Sequence, residues 1–211
     1  MINRASRAKE QGPAGTQRRI AIDFANTIAG PIRPTHGRGW EALVGFLEEA
    51  AAVGPGEGAR LRALGREAPS RCAGAVIRAL ELRAVIRHIL DAIAQQRPLA
   101  AEWIEVVNRA LRAGGGTEQL VAAGSGWRAT FVPERHDPLG ALAPLARSAA
   151  ELIVEGPTAP VRRCANPRCV LFFYDDSRSR RRRWCSMAVC GNRMKVAAHA
   201  RRRRGRLLRP N

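Results

Sequence analysis

The sequence predicts a mainly α chain with a small β-hairpin, an α+β architecture in which a helical N-terminal domain precedes a compact cysteine-bearing C-terminal module. Three observations lead there. Apolar residues recur at helical spacing over most of the first 155 positions. Four of the five cysteines, Cys164, Cys169, Cys185 and Cys190, form two CxxxxC pairs separated by fifteen residues. Charge is divided unevenly: residues 161–211 carry 16 Lys and Arg against two Asp, whereas residues 1–160 carry 20 against 16, within a formal net charge of +18.

Residues 1–18 are polar, with Gly12, Pro13 and Gly15, and read as a flexible tail. Order is expected over 19–155. The run from Ile20 to Ile28 suits either a short helix or a buried strand, and periodicity does not choose between them; Gly30, Pro31 and Pro34 break it. Trp40, Leu43, Val44 and Leu47 mark an amphipathic helix with Glu48 and Glu49 outside, ended by Gly54, Pro55 and Gly56. A second helix covers roughly 58–67. The longest pattern starts at Ser70, read as its N-cap, and reaches Gln96 before Pro98. Ile77, Leu80, Ala84, Ile86, Ile89, Leu90 and Ile93 form its apolar band and make it the spine of the domain.

Leu99, Trp103, Val106, Val107 and Ala110 give the next helical stripe, closed by Gly114, Gly115 and Gly116. The period then changes: 118–122 and 127–132 flank Gly124, Ser125 and Gly126 as a β-hairpin. Asp137 before Pro138 reads as an N-cap and first helical residue, although Pro144 disturbs a helix begun there. Leu142, Leu145, Ala149, Leu152 and Ile153 carry the helix to about Glu155. Residues 156–160, with Gly156, Pro157 and Pro160, form a linker.

Two short-range thiolate pairs joined by a medium loop are what a tetrahedral Zn²⁺ requires, because each pair folds its own turn back on the ion. One structural Zn²⁺ on Cys164, Cys169, Cys185 and Cys190 is therefore expected. Two disulfides are the alternative. They are disfavoured because the opening residues lack the apolar run of a secretory signal and because Cys72 stands alone in an apolar helical pattern, both of which fit a reducing compartment. No span of eighteen apolar residues occurs, so no transmembrane helix is expected and the anticipated location is cytoplasmic.

Within 161–206 the first pair is expected on a hairpin whose knuckle is Asn166, Pro167 and Arg168, with strand composition from Val170 to Tyr174. Asp176, Ser177 and an arginine-rich turn return the chain to Cys185; the pattern becomes helical from Ser186 or Asn192, with Cys190 near the N-terminal end, where the dipole favours thiolate. Knuckle, strands and ligand-bearing helix together resemble a treble clef. Lys195, His199, Arg202 and Arg206 share one face of that helix, while Met194, Ala197 and Ala198 are expected to turn inward; residues 207–211 read as a tail. His36, His88 and His136 have neither metal spacing nor a partner nucleophile, and no phosphate-binding glycine loop occurs.

The residues Arg183, Trp184, Cys185, Ser186, Met187, then Cys190, Gly191, Asn192, Arg193 and Lys195 resemble the signature of the CGNR zinc-finger family. The first cysteine pair with Phe173, Asp176 and Ser177 is similar to the rest of its pattern; the denser arginine run before Trp184 departs from it. The preceding domain, with Asp23, Phe24, Asn26 and Thr27 near its start, resembles the ABATE domain that usually accompanies this finger. The resemblance implies a bacterial transcriptional regulator whose finger binds DNA.

The expected function is thus a non-enzymatic, zinc-dependent DNA-binding regulator, since four thiolates leave no open position on the metal. Duplex DNA is expected to meet Arg180, Arg181, Arg182, Arg183, Arg193, Lys195, His199, Arg202, Arg203 and Arg206. The N-terminal domain is expected to sense a small-molecule effector or to form a homodimer; Asp23 and Asn26, polar residues within an apolar run, read first as a cap or a buried hydrogen bond and second as the lining of a ligand pocket. Two alternatives stand beside this reading. In one the module binds RNA by stacking bases on Phe172, Phe173, Tyr174 and Trp184. In the other the N-terminal domain binds the ligand and the finger is only its scaffold.

Overall fold

The computed structural model describes residues 20–29, 39–123, 126–133 and 137–207; side chains at 28–29, 118–119, 121–133 and 203–207 lie outside the description. The expected tail over 1–18, the breaks at Gly30 to Pro34, His36, His136 and residues 208–211 also lie outside it.

Residues 20–25 form a helix (α1), which resolves the ambiguity left by periodicity, and a 3₁₀ turn continues it through Asn26–Ala29. Ile20, Ala21, Ile22, Phe24 and Ala25 are all buried, so this segment runs through the core with half-buried Asp23 as its polar residue. Its Ala21 N–H donates to the buried hydroxyl of Ser148, 3.0 Å away, which satisfies a helix-start amide that water does not reach.

Helix α2 spans Gly39–Glu49 and α3 spans Pro55–Glu67. Pro55 opens α3 instead of closing α2, since a proline in the first turn gives up an amide that has no helical partner anyway. Trp40 Nε1 donates to the Leu61 carbonyl at 2.7 Å, tying α2 to α3. Helix α4 runs Pro69–Ala94, with Pro69 in its first turn and Ala68 as N-cap; Ser70 is already inside the helix and does not cap it.

The face that α4 buries agrees with the expected one at Ile86, Ile89, Leu90 and Ile93 and departs from it at Ile77, Leu80 and Ala84. Cys72, Ala75, Ala79, Leu82, Ile86, Ile89, Leu90 and Ile93 are buried, whereas Ile77 and Leu80 are 64% and 44% exposed and Ala84 is also exposed. Apolar residues lie on several sides of α4, and packing against the neighbouring helices selects which of them is buried. Helix α5 (Ala101–Ala113) ends at Gly114, where a Cβ would fall 2.2 Å from that of Ala143; only glycine permits this approach.

Strands β1 (Gly116–Ala123) and β2 (Gly126–Pro133) pair antiparallel from Gly116↔Pro133 to Ala123↔Gly126. Asp137 caps the next element by accepting from the Leu139 amide at 3.0 Å. That element is a 3₁₀ turn, Pro138–Leu142, and α6 (Ala143–Glu155) begins afterwards with Pro144 in its first turn. Splitting one expected helix into two removes the clash foreseen for Pro144. After a 3₁₀ turn at Gly156–Thr158, β3 (Val161–Arg163) and β4 (Phe172–Tyr174) form a second antiparallel pair. Ala159, Val161 and Phe172 bury into the same apolar cluster as α1 to α6, so the C-terminal hairpin shares the core of the helical domain. Helix α7 covers Asn192–Leu207.

Candidate metal centre and basic surface

One thiol of each pair is buried, Cys164 and Cys190, and one is partly covered, Cys169 and Cys185. All four sulfurs lie within 4.8 Å of one another, and the Cys169–Cys185 and Cys185–Cys190 separations are both 3.7 Å. A tetrahedron of Zn–S bonds near 2.3 Å has edges of about 3.8 Å. The sulfurs are thus positioned to bind one metal ion, and no cysteine of the chain is in a disulfide.

Local backbone explains this placement. Cys164 and Cys169 bracket a knuckle closed by the Cys169 amide donating to the Asn166 carbonyl at 2.8 Å, and the Cys164 amide donates to Leu171 across the hairpin at 3.0 Å. Asn166, 2% exposed, receives the Arg168 amide at 3.1 Å and donates from Nδ2 to Cys190 Sγ at 3.3 Å, linking the first pair to the second. Cys190 sits in a wide turn, Met187–Gly191, where the amides of Cys190 and Gly191 both donate to the Ser186 carbonyl at 3.0 Å. Ser186 Oγ receives the Val189 amide. At Gly191 a side chain would press on Met187 Sδ and Trp184, so this glycine lets the turn close on the indole.

Burial pushes the Cys169 and Cys185 thiols up, Cys185 further because its thiol neighbours oppose a second charge. The Asn166 amide holds Cys190 below its ordinary value. Such a cluster resists carrying four negative charges by itself and accepts them when a divalent cation balances them.

Sequence reasoning missed Asp175, which is 0% exposed. It receives the Ser177 hydroxyl at 2.5 Å, the Ser177 amide at 3.2 Å and the Arg182 amide at 3.0 Å, and Arg162 Nε lies 3.1 Å away. Burial acts to raise its pKa, but these donors outweigh it and hold the carboxyl below the usual range. Asp175 therefore shapes the arginine loop from inside. The available signal was an Asp two residues before Ser177, a spacing at which a carboxylate accepts from a local backbone amide.

The expected basic contacts separate into two groups. Arg180, Arg181, Arg183, Arg193, Lys195, His199 and Arg202 are exposed. Arg182 turns inward: its guanidinium donates to the Trp184 and Cys185 carbonyls, and it lies 4.8 Å over the Phe173 ring. Arg183 stacks over Trp184 at 5.0 Å. On α7, Met194 and Ala198 are partly covered as expected, but Ala197 is exposed, since it lies well round the helix from the 194–198 ridge. The side chains of Arg203 and Arg206 lie outside the description. Phe172 and Phe173 are buried and so are not offered to unpaired bases.

Asn26 meets the metal module directly. Its Nδ2 donates to the Phe172 carbonyl at 2.8 Å and its Oδ1 receives the Phe172 amide at 2.9 Å, so both ends of the side-chain amide are engaged. Asp23 is half-buried and has a partner. A shallow apolar cleft lies elsewhere, between α4, α5 and the Pro138–Leu142 turn, floored by Leu82, Val106 and Leu142 and rimmed by Arg78 and Arg109. Among the described residues no helix is long and apolar enough to cross a membrane.

Fold and site together define a helical domain fused to a small four-cysteine metal module that ends in a basic helix. Comparison with family models agrees. Residues 18–156 match ABATE, described as "Putative stress-induced transcription regulator", and residues 161–203 match the CGNR zinc finger. The chain belongs to the ABATE family and carries a CGNR zinc finger at its C-terminal end. None of the curated proteins compared with it matches.

Proposed function

We propose that the chain is a DNA-binding transcriptional regulator in which Cys164, Cys169, Cys185 and Cys190 hold one structural Zn²⁺ and the basic surface beside them contacts duplex DNA. The ion supplies a cross-link that replaces the large core a module of this size lacks. The observation that carries the reading is the mutual approach of the four sulfurs at the base of α7, a helix with several cationic side chains and no acidic one. Exposed Arg193, Lys195, His199 and Arg202, with the loop at Arg180, Arg181 and Arg183, provide a field suited to phosphates, and a guanidinium can read guanine in the major groove. Four thiolates leave no coordination position for a substrate, which favours a binding role over catalysis.

The test is a titration of the zinc-loaded chain with duplex DNA across a range of salt. Log K is expected to fall linearly with log salt, and Lys195→Ala with Arg202→Ala to lower the slope by about 2. Binding that is absent or indifferent to salt would falsify the proposal. Single-stranded RNA as competitor distinguishes the nucleic acids.

A further inference from the structure

The boundary between the helical domain and the metal module holds more polar contacts than a passive linker needs, and those of Asn26 and Arg87 converge on one short stretch. That stretch is Val170 to Phe172, directly after the ligand Cys169. Asn26 pairs with the open edge of β4 through both ends of its amide, in the manner of a neighbouring strand. Arg87 of α4 donates from one nitrogen to the Ala25 carbonyl and from another to the Val170 carbonyl, each at 3.0 Å, while its guanidinium lies 5.2 Å over the Phe172 ring. One turn along α4, Asp91 faces Arg163 at 3.7 Å, next to the ligand Cys164. Glu155 at the end of α6 receives the Tyr174 hydroxyl at 3.3 Å.

We infer that Asn26 and Arg87 are positioning residues for the metal site, so that metal affinity is set across the domain boundary and metal loading in turn orders α1 and the middle of α4. This rests on the reading that the four cysteines hold a metal. Groups hydrogen-bonded to metal ligands orient them, and their loss costs roughly 10- to 100-fold in affinity; Asn26 and Arg87 stand one step further out, on the backbone that follows Cys169, which puts their effect at the low end of that range. Arg87 acts on the backbone between Cys169 and β4, and Asn26 on the first residue of β4, so together they fix the segment that leaves Cys169 and hence where its sulfur points. Reciprocity is then required: if the helical domain holds the site in its binding geometry, the bound ion must stabilise the contacts that do so. The consequence for a regulator is a direct route by which a change at α1 or α4 reaches the finger.

The experiment uses the full chain with Zn²⁺ and Co²⁺ as probes. Zn²⁺ affinity, from competition with a chromophoric chelator, is expected to drop about 10-fold in Asn26→Ala and in Arg87→Ala, with Arg87→Lys falling between the latter and wild type. The Co²⁺–thiolate absorption of these variants is expected to shift. Should Asn26→Ala not fold, hydrogen exchange on the wild-type chain decides: removing Zn²⁺ with EDTA is expected to speed exchange at 21–29 and 83–91 while α2 and α3 stay protected. Wild-type affinity in both alanine variants, or exchange at 21–29 and 83–91 unmoved by EDTA, overturns the inference alone. If the wild-type chain itself shows no cobalt–thiolate band, the metal reading fails and this inference falls with it.

Discussion

The helical domain and the metal module solve the same problem by opposite means. In the first, stability comes from apolar area: Phe24, Leu47, Leu82, Ile89, Leu145 and Leu152 are among its fully buried side chains. In the second, half of what is buried among the described residues is polar or thiol, namely Cys164, Cys190, Asn166 and Asp175, and the large buried apolar groups there are Phe172 and Phe173, with Val161 beside them. A segment of some forty residues buries too little apolar surface to be stable by itself, and in place of a large core it has four sulfurs positioned to bind one metal ion and a buried, hydrogen-bonded carboxylate. The difference teaches where each region is vulnerable, the one to cavities and the other to chelation, acid and lost hydrogen bonds.

The sharpest way to break this contrast is to remove a ligand. Cys185→Ser is expected to abolish tight Zn²⁺ binding, with on the order of 10 kcal/mol of metal-binding free energy at stake. Far-ultraviolet circular dichroism should still report the helices of the first domain. Metal content per chain, by elemental analysis, checks the first half, and a module that stays folded without metal would erase the contrast. The mirror-image change is Leu47→Ala on α2. It is expected to cost about 3 kcal/mol of domain stability, read from denaturant unfolding, while metal stoichiometry stays at one ion per chain.

A smaller effect is expected at Asp175. Asp175→Asn keeps the shape but loses charge-assisted bonds, at a cost of about 2 kcal/mol near neutral pH. Because its folded pKa is depressed, the contribution of Asp175 is fully present above the unfolded value of about 3.9 and is lost as pH falls through the lower folded value. The stability gap between wild type and Asp175→Asn should therefore narrow in acid, and a gap that widens there would contradict the assignment. Smallest of all, Arg202→Ala on exposed α7 is expected to leave stability and metal binding unchanged and to reduce the salt slope of DNA binding by about 1. Arg182→Ala, whose guanidinium serves the loop, is expected to destabilise the module as well.

Much of this was written in local pattern. The helices from Trp40 onward, the hairpin about Gly124 to Gly126, the Asp137 cap and the four-cysteine frame were readable because each depends on residues a few positions apart. The Ile20 to Ile28 run was not, since buried apolar residues at nearly successive positions, Ile20, Ala21, Ile22, Phe24 and Ala25, carry no period to separate helix from strand. Nor was the chosen face of α4 legible, where Ile77, Leu80 and Ala84 matched a helical stripe as well as the alanines and leucines that are buried.

By itself, then, the sequence determined most of the elements after Trp40, which sulfurs gather and where positive charge accumulates, because spacing along one chain suffices for each. Only the tertiary structure decided that Asn26 serves β4, that Arg87 bridges Ala25 to Val170, that Arg182 faces inward and that Asp175 is buried. The long-range pairs among these join residues up to 146 positions apart. A polar side chain has the same local signature whether water, a ligand or a distant backbone satisfies it, and only the packed chain selects among them.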